Sequence, residues 1–226
     1  MSTIACISNK LDVLEFNSTS IDTNTNINSN SESIKSICCT PIDGDQYTSL
    51  CWNQVIATSN KISRKIKLYQ ASNGTILSSI PFLETDVITD DIVSVAFSSN
   101  SRYIGAGVGN KSLIWDLKRR NLKCSFKHDT IVSSMTYFQD NRVLSGDISG
   151  SIKLWDMKSN ESIAQTDKIL TSPIHMIKIC NKYPNNMICS RNDGSIQVYD
   201  IHNSCSMLRN MQIYTPNTNT NTNGIV

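Results

Sequence analysis

Residues 144–156 read LSGDISGSIKLWD. Two short runs of alternating apolar residues flank a turn that contains Gly and Ser, which is the pattern of two antiparallel strands. The second run ends in Trp155-Asp156. A Trp-Asp pair also stands at residues 115 and 116, a Tyr-Asp pair at residues 199 and 200, and Tyr69 ends a similar run. The recurrence predicts a repeated all-β unit with a period of about 40 to 45 residues.

Each unit divides into four short strands. The units cover residues 34–82, 92–127, 131–166 and 174–214, and residues 34–40 are predicted to be the first strand of the first unit. Residues 1–16 predict an additional strand pair. Residues 17–33 and 215–226 are rich in Asn, Ser and Thr and poor in apolar residues. We therefore expect both of these segments to be disordered.

The units resemble WD40 repeats, most specifically over residues 144–156. The resemblance implies an all-β, WD40-type β-propeller in which each four-stranded unit is one blade. Propellers of this family commonly have about seven blades. Four recognisable blades and an N-terminal strand pair therefore predict an incomplete propeller, from a truncated or mis-predicted gene product or with a partner over its open side. The residues to which the resemblance gives a structural role in the blades are Tyr69, Trp115, Asp116, His128, Asp147, Trp155, Asp156, Asp193, Tyr199 and Asp200.

In WD40 blades a His, a Ser or Thr, a turn Asp and the strand Trp share buried hydrogen bonds, so that each polar group has a partner. The third unit has His128 and Trp155, but Ser149 stands where the turn Asp is expected and Asp147 stands two positions earlier. The fourth unit has Asp193 without a matching His. We therefore expect that no blade has the full set and that the blades rely more on apolar packing and less on the polar network.

Composition argues against several classes of function. The chain has 21 Lys and Arg against 19 Asp and Glu, so its net charge of +2 provides no strong field for nucleic acid or anionic lipid. No window reaches the roughly 18 apolar residues that a membrane-spanning helix needs. The eight cysteines form no Cys-x-x-Cys pair, so we expect reduced, mostly buried thiols and no metal site. We also expect no cofactor, no small-molecule substrate and no binding of nucleic acid or membranes.

One group of residues has an alternative, catalytic interpretation. His128 and Asp129 stand close in sequence to Ser133 and Ser134, as the members of a hydrolase site could. However, the sequence has no Gly-x-Ser-x-Gly elbow, and the two serines fall in a predicted strand. We therefore expect no catalytic residues and a protein that is not an enzyme.

The basic run Lys118-Arg119-Arg120 follows the Trp-Asp pair of the second unit. It falls in the predicted turn after the third strand of that blade. A solvated turn is the simpler interpretation. The alternative is a basic patch on the rim of the propeller that docks an acidic surface of a partner.

Among WD40 proteins, the order of features is similar to the N-terminal propeller of the γ-tubulin-recruiting proteins of the GCP-WD or NEDD type. The similar segments are residues 37–38, 51–52, 114–118 and 149–150, together with His128. The resemblance implies a scaffold with protein partners, namely the γ-tubulin ring complex or centrosomal and spindle components, and a role in microtubule nucleation. It implies a cytoplasmic location at the centrosome or spindle, with the nucleus left open. The alternative is a WD40 subunit of a chromatin, ubiquitin-ligase or ribosome-assembly complex.

Overall fold

The regular structure of this chain consists of β-strands. The computed structural model describes residues 2–7, 11–16, 35–39, 47–53, 55–60, 63–70, 75–82, 88–139, 141–166, 171–180 and 182–212. In these residues the regular elements are nineteen strands, which form one three-stranded and four four-stranded antiparallel sheets. The predicted disordered segments, residues 17–33 and 215–226, lie outside the described residues, and so their disorder stays a prediction.

Each sheet is formed from consecutive strands in chain order. The N-terminal sheet consists of β1 (Ser2–Ile7), β2 (Leu11–Phe16) and β3 (Lys35–Cys39). Blade 1 consists of β4 (Tyr47–Asn53), β5 (Val55–Asn60), β6 (Lys65–Gln70) and β7 (Ile76–Ile80). Blade 2 consists of β8 (Ile92–Phe97), β9 (Tyr103–Val108), β10 (Lys111–Asp116) and β11 (Asn121–Lys127). Blade 3 consists of β12 (Val132–Phe138), β13 (Arg142–Asp147), β14 (Ile152–Asp156) and β15 (Glu161–Gln165). Blade 4 consists of β16 (Ile174–Ile179), β17 (Asn186–Arg191), β18 (Ser195–Asp200) and β19 (Ser206–Gln212).

The blades follow one another side by side, with their first strands innermost. Strand β8 lies against β4, β12 against β8 and β16 against β12, and β1 of the N-terminal sheet lies beside β4. The hydrophobic core is divided accordingly into three clusters, one between each pair of consecutive blades. Radial four-stranded sheets that bury their faces against one another are the architecture of a β-propeller, as the sequence predicted.

The structure corrects one strand of the first unit. The apolar run at residues 34–40 was expected to open blade 1, but β3 (Lys35–Cys39) pairs with β2 and completes the N-terminal sheet. The first strand of blade 1 is instead β4 (Tyr47–Asn53), which pairs with β5. Alternation within a strand defines its faces but not its neighbour, because pairing is decided by contacts that are distant in the chain.

Two features hold consecutive blades close together. On the innermost strands, the Oγ of Ser94 accepts a hydrogen bond from the Met135 N–H at 3.1 Å, and the Oγ of Ser134 accepts one from the Ile177 N–H at 3.0 Å. On the adjoining strands, glycines leave room for the next blade. A Cβ on Gly146 would lie 2.8 Å from Cγ2 of Ile174, so only a glycine permits this approach.

We expect Gly146→Ala to destabilise the protein by about 1–3 kcal/mol, because the new methyl group overpacks the interface between blades 3 and 4. The methyl group that it meets is attached to Cβ of Ile174, which is fixed by the backbone of β16. Gly105→Ala is the matched control and should cost less, because the nearest atom there is the terminal methyl of the flexible Met135 side chain. Urea unfolding of both variants measures the difference, and equal costs would contradict the explanation.

Candidate functional site

The turn after the third strand of each of blades 2, 3 and 4 is held by the Asp that ends that strand. Asp116 Oδ1 accepts hydrogen bonds from the backbone N–H groups of Lys118 and Arg119, both at 3.0 Å. Asp156 Oδ1 accepts one from Lys158 at 2.8 Å, and Asp200 Oδ1 accepts one from His202 at 3.0 Å. A carboxylate that accepts backbone donors two and three residues ahead is an Asx-type turn. The second residue of each repeated aromatic-Asp pair therefore shapes a surface loop.

Asp116 has an additional role, because it also binds a cation. Its Oδ2 accepts hydrogen bonds from Nε and Nη2 of Arg102, at 3.2 and 3.1 Å. Burial of Asp116 raises the pKa of its carboxyl group, but the hydrogen bonds from the Arg119 backbone and from Arg102 outweigh this effect, and the pKa lies below its usual value. The charged carboxylate thus fixes both the basic turn and the Arg102 guanidinium in place.

The three cations of the basic run do not form one patch, as the sequence analysis had considered. Lys118 and Arg119 are exposed and line a shallow depression together with Arg102, Ser101 and Leu117. The third cation, Arg120, points elsewhere: its guanidinium carbon lies 4.8 Å from the ring centre of Phe82. The sequence prediction missed Arg102, which no motif marks, because it reaches Asp116 across the β9–β10 pair. We call the set Arg102, Lys118 and Arg119 the basic depression.

Blade 3 contains the complete polar network that the sequence was expected to lack. Nδ1 of His128 lies 3.2 Å from Asp147 Oδ2, and Nε2 of His128 lies 2.6 Å from the Oγ of Ser145. The indole N–H of Trp155 donates to the same Oγ at 2.7 Å. Because an ionised carboxylate can only accept, Nδ1 of His128 carries a proton, and in the neutral imidazole the Ser145 hydroxyl donates to Nε2. The expectation that no blade has the full set is therefore wrong for blade 3.

The physical reason for this correction is that Asp147 takes the role of the turn Asp, which was expected at position 149. Its Oδ1 accepts hydrogen bonds from the N–H of Ser149 at 3.0 Å, the hydroxyl of Ser149 at 2.6 Å and the N–H of Ser151 at 3.1 Å. Burial raises the pKa of the Asp147 carboxyl, but the hydrogen bonds from His128, Ser149 and Ser151 lower it by more, to about 2. One carboxylate therefore holds the turn and orients His128.

The other aromatic residues at the Trp155 position have different surroundings. Trp115 of blade 2 lies in the apolar cluster between blades 1 and 2, which also includes Ile88. Tyr69 of blade 1 is buried. Trp155 itself is stacked on Phe126 of blade 2, with ring centres 4.9 Å apart, and so connects the network to the neighbouring blade.

Blade 4 has a network of its own, built around a buried arginine. Arg191 is only 4% exposed. Its Nε donates to Oε1 of Gln197 at 2.7 Å, and the Tyr199 hydroxyl donates to the same oxygen at 2.6 Å. Its Nη1 donates to the Ser172 carbonyl at 2.8 Å, and its Nη2 to the Gly150 carbonyl of blade 3 at 3.1 Å. Arg191 therefore joins blade 4 to the turn of blade 3.

Asp193 is close to this arginine but serves the turn. Its Oδ1 accepts the Ser195 N–H at 2.9 Å. Hydrogen bonding from Ser195 is the main reason that the pKa of Asp193 is lowered. Asp193 thus occupies the predicted turn position, whereas Arg191 and Gln197 were missed because no repeat signature includes them.

The serine, histidine and aspartate of blade 3 are connected like the members of a hydrolase triad, but they are not accessible from the surface. Ser145, Asp147 and His128 are at most 1% exposed, so no substrate reaches them. Ser134, one of the serines of the catalytic alternative, instead bonds the backbone of the next blade. Within the described part of the chain, no group of His, Cys, Asp and Glu is arranged to hold a metal ion.

The structure describes the side chains of four of the eight cysteines, and most of these four are buried, as the sequence predicted. Cys124, Cys189 and Cys205 are free and buried, and Cys180 is free and partly exposed. Burial raises the pKa of the Cys189 and Cys205 thiols to about 11, so these thiols are not poised for reaction. Among the residues that the structure describes, no helix has the length and apolar character to cross a bilayer.

The radial four-stranded blades, the Asp–His–Ser–Trp network and the repeated aromatic-Asp turns together define a WD40-type β-propeller. Curated relatives agree with this class. The chain is 26% identical over 102 residues to the target of rapamycin complex subunit LST8 of Bos taurus, covering 42% of this chain and 31% of that protein. It is 26% identical over 165 residues to the WD repeat-containing protein 55 homolog of Drosophila willistoni, covering 70% of this chain and 31% of the relative.

A third relative, the WD repeat-containing protein 44 of Xenopus laevis, is 26% identical over 101 residues, covering 41% of this chain and 11% of that protein. The matched part of this chain therefore spans less than a third of each of these three relatives. No protein-family model matches the chain.

Proposed function

We propose that this chain is a non-enzymatic scaffold that binds other proteins, and that the basic depression docks an acidic segment of a partner. The observation that carries the proposal is the convergence of Arg102, Lys118 and Arg119 on one depression of the propeller surface. Loops on a rigid frame are where propellers carry their binding sites. The similarity to WD-repeat proteins, one of them named as a subunit of a complex, supports the scaffold class.

The chemistry of the depression favours a carboxylate-rich ligand. Two of its cations, Lys118 and Arg119, are exposed, and their backbone is fixed by Asp116, so less conformational entropy is lost when a ligand binds. The third, Arg102, retains exposed surface, because 44% of its side chain is accessible while it holds Asp116. Arginine and lysine at an exposed rim act mainly through charge complementarity, which gives specificity and a salt-dependent association rate.

We expect the double variant Lys118→Glu/Arg119→Glu to lose at least about tenfold in affinity for an acidic segment, because charge attraction becomes repulsion. A fluorescein-labelled hexaglutamate peptide serves as the probe, with fluorescence anisotropy measured at low and at physiological salt. Lys158→Glu is the matched control, since Lys158 occupies the equivalent turn of blade 3 with the same Asp cap. Equal losses in both variants would contradict a role for the basic depression.

A finer proposal names the partner. The resemblance of residues 114–118 to γ-tubulin-recruiting WD40 proteins supports the γ-tubulin ring complex, or other centrosomal and spindle components, as partners in microtubule nucleation. The proposed location is then the cytoplasm, at centrosomes and spindles. Affinity purification from dividing cells tests this, with the double variant as the negative control. Recovery of chromatin, ubiquitin-ligase or ribosome-assembly subunits in place of γ-tubulin complex subunits would favour the alternative.

A further inference from the structure

Arg102 of the basic depression uses one edge of its guanidinium group to hold Asp116. Nε and Nη2 donate to the same oxygen, Asp116 Oδ2, at 3.2 and 3.1 Å. A guanidinium has its N–H groups in a fixed plane, so this contact leaves the parallel pair at the end of the group, with one N–H on Nη1 and one on Nη2. Within the described residues, no acceptor is bonded to Nη1. The end-on edge of Arg102 is therefore available to a ligand.

The backbone of Arg102 and the ring of Tyr103 restrict this side chain further. The Arg102 N–H donates to Asn100 Oδ1 at 3.0 Å, and the Arg102 carbonyl accepts a hydrogen bond from the Leu117 N–H at 2.9 Å. The guanidinium carbon lies 5.1 Å from the ring centre of Tyr103, a residue that is 7% exposed. A side chain that is fixed at its backbone, at one edge and on one face loses little conformational entropy when a ligand binds its other edge.

The two partners of this ion pair differ in burial. The side chain of Asp116 is 1% exposed, whereas that of Arg102 is 44% exposed and lines the basic depression. A ligand in the depression therefore meets the guanidinium group and not the carboxylate behind it. Because the two terminal N–H groups of a guanidinium are parallel, they match the two oxygens of one carboxylate.

Lys118 and Arg119 differ from Arg102 in how their side chains are held. Their turn bonds to Asp116 come from their backbone N–H groups. Within the part of the chain that the structure describes, their exposed side chains form no hydrogen bond or ion pair. Exposed cations of this kind act mainly through charge, whereas a fixed guanidinium fork also selects the geometry of its ligand.

We propose that Arg102 determines the specificity of the basic depression, by donating two parallel hydrogen bonds from Nη1 and Nη2 to one side-chain carboxylate of the partner's acidic segment. Asp116 is the positioning residue, because it acts on the ligand through the orientation of Arg102. Lys118 and Arg119 attract the segment by charge. This inference rests on the proposed function, since it assigns roles within the same site.

Asp116→Asn separates orientation from charge, because the two effects change the affinity in opposite directions. The amide oxygen can still accept hydrogen bonds from the turn N–H groups, but the NH₂ group that replaces Oδ2 cannot accept one from Arg102. The loss of a negative charge beside the depression should by itself tighten the binding of an anion. We expect instead that the affinity for the labelled hexaglutamate peptide falls at least about threefold, because the fork is no longer oriented. Asp156→Asn is the matched control and should not lower the affinity, since Asp156 holds the equivalent turn of blade 3 and, among the described residues, binds no arginine.

Arg102→Lys keeps the charge and removes the fork. An ammonium group has no pair of parallel N–H groups in a fixed plane, so the affinity for hexaglutamate should fall at least about threefold, at low and at physiological salt alike. The slope of the affinity against salt concentration should stay that of the wild type, because the number of charges is unchanged. Arg119→Lys is the matched control and should change neither quantity, since Arg119 is exposed and its turn bond comes from its backbone. Urea unfolding checks that each variant is folded under the conditions of the binding assay.

The outcomes distinguish this inference from the proposed function. A wild type that does not bind hexaglutamate, or binding that Lys118→Glu/Arg119→Glu leaves intact, overturns the proposed function and this inference with it. Binding that depends on Lys118 and Arg119 but is unchanged in Arg102→Lys, or is tighter in Asp116→Asn, overturns the inference alone. If Asp116→Asn does not fold, Arg102→Lys decides by itself.

Discussion

Replacing Asp147 with alanine is expected to lower the free energy of unfolding by on the order of 3–5 kcal/mol, since one buried carboxylate satisfies several donors. The variant leaves Nδ1 of His128 and the backbone N–H groups of Ser149 and Ser151 without their acceptor in a site closed to water. The stability of Asp147→Asn should lie between those of the wild type and Asp147→Ala, because the amide oxygen can still accept hydrogen bonds from the N–H groups of the turn. Urea unfolding followed by tryptophan fluorescence measures all three proteins.

The dependence on pH separates this mechanism from simple loss of volume. The pKa of Asp147 is about 2 in the folded protein, against an ordinary value of 3.8. A lowered pKa contributes stability that is fully present above about pH 4 and is lost as pH falls towards 2, here about 2 kcal/mol. The stability gap between wild type and Asp147→Ala should therefore narrow over that range. Asp129→Ala is the control, because it removes a carboxylate that is 73% exposed and contacts Lys153 at 3.6 Å, and it should lower the stability only slightly.

Arg191→Ala is expected to destabilise the protein by about 3–4 kcal/mol. The carbonyls of Gly150 and Ser172 and the Oε1 of Gln197 each lose a charged donor in a buried site. Arg191→Lys should recover only part of the loss, because an ammonium group cannot reproduce the planar fork that reaches these acceptors.

Hydrogen exchange shows whether Arg191 acts across the boundary between blades. In Arg191→Ala the loss of protection from exchange should be greatest at the Ile177 amide. This amide donates to Ser134 of blade 3, and the bond depends on blade 4 being held close to blade 3. Arg119→Ala, which removes an exposed guanidinium, should leave exchange at Ile177 unchanged. If exchange in Arg191→Ala rose equally in all blades, the arginine would stabilise the fold without acting specifically as a link between blades 3 and 4.

The strands were predictable because their pattern is local. The alternation around residues 144–156 gives β13 and β14 to within a few residues, and the aromatic-Asp pairs place the turns that Asp116, Asp156 and Asp200 hold. The assignment of residues 34–40 failed for the opposite reason. Whether that strand joins β2 or β5 depends on partners that are distant in sequence, and both choices satisfy the same local alternation.

The candidate sites were predictable only in part. His128, Asp147 and Trp155 were recognised as blade residues, but Ser145, which connects His128 and Trp155, was not, because a serine on a strand carries no signal by itself. Lys118 and Arg119 were visible as a run of charge. Their separation from Arg120 and their grouping with Arg102 depend on the turn that Asp116 closes.

The sequence by itself determined an all-β, repeated propeller architecture, because strand alternation and turn chemistry are properties of a few consecutive residues. The tertiary structure alone decided which residues satisfy each other's hydrogen bonds. Asp147, two positions before the expected turn Asp, completes the polar network of blade 3. In blade 4 a different network forms around the buried Arg191. It also decided that Met176 and Ile188 of blade 4 are exposed although their strands alternate like those of the other blades, because exposure depends on which elements lie against a strand.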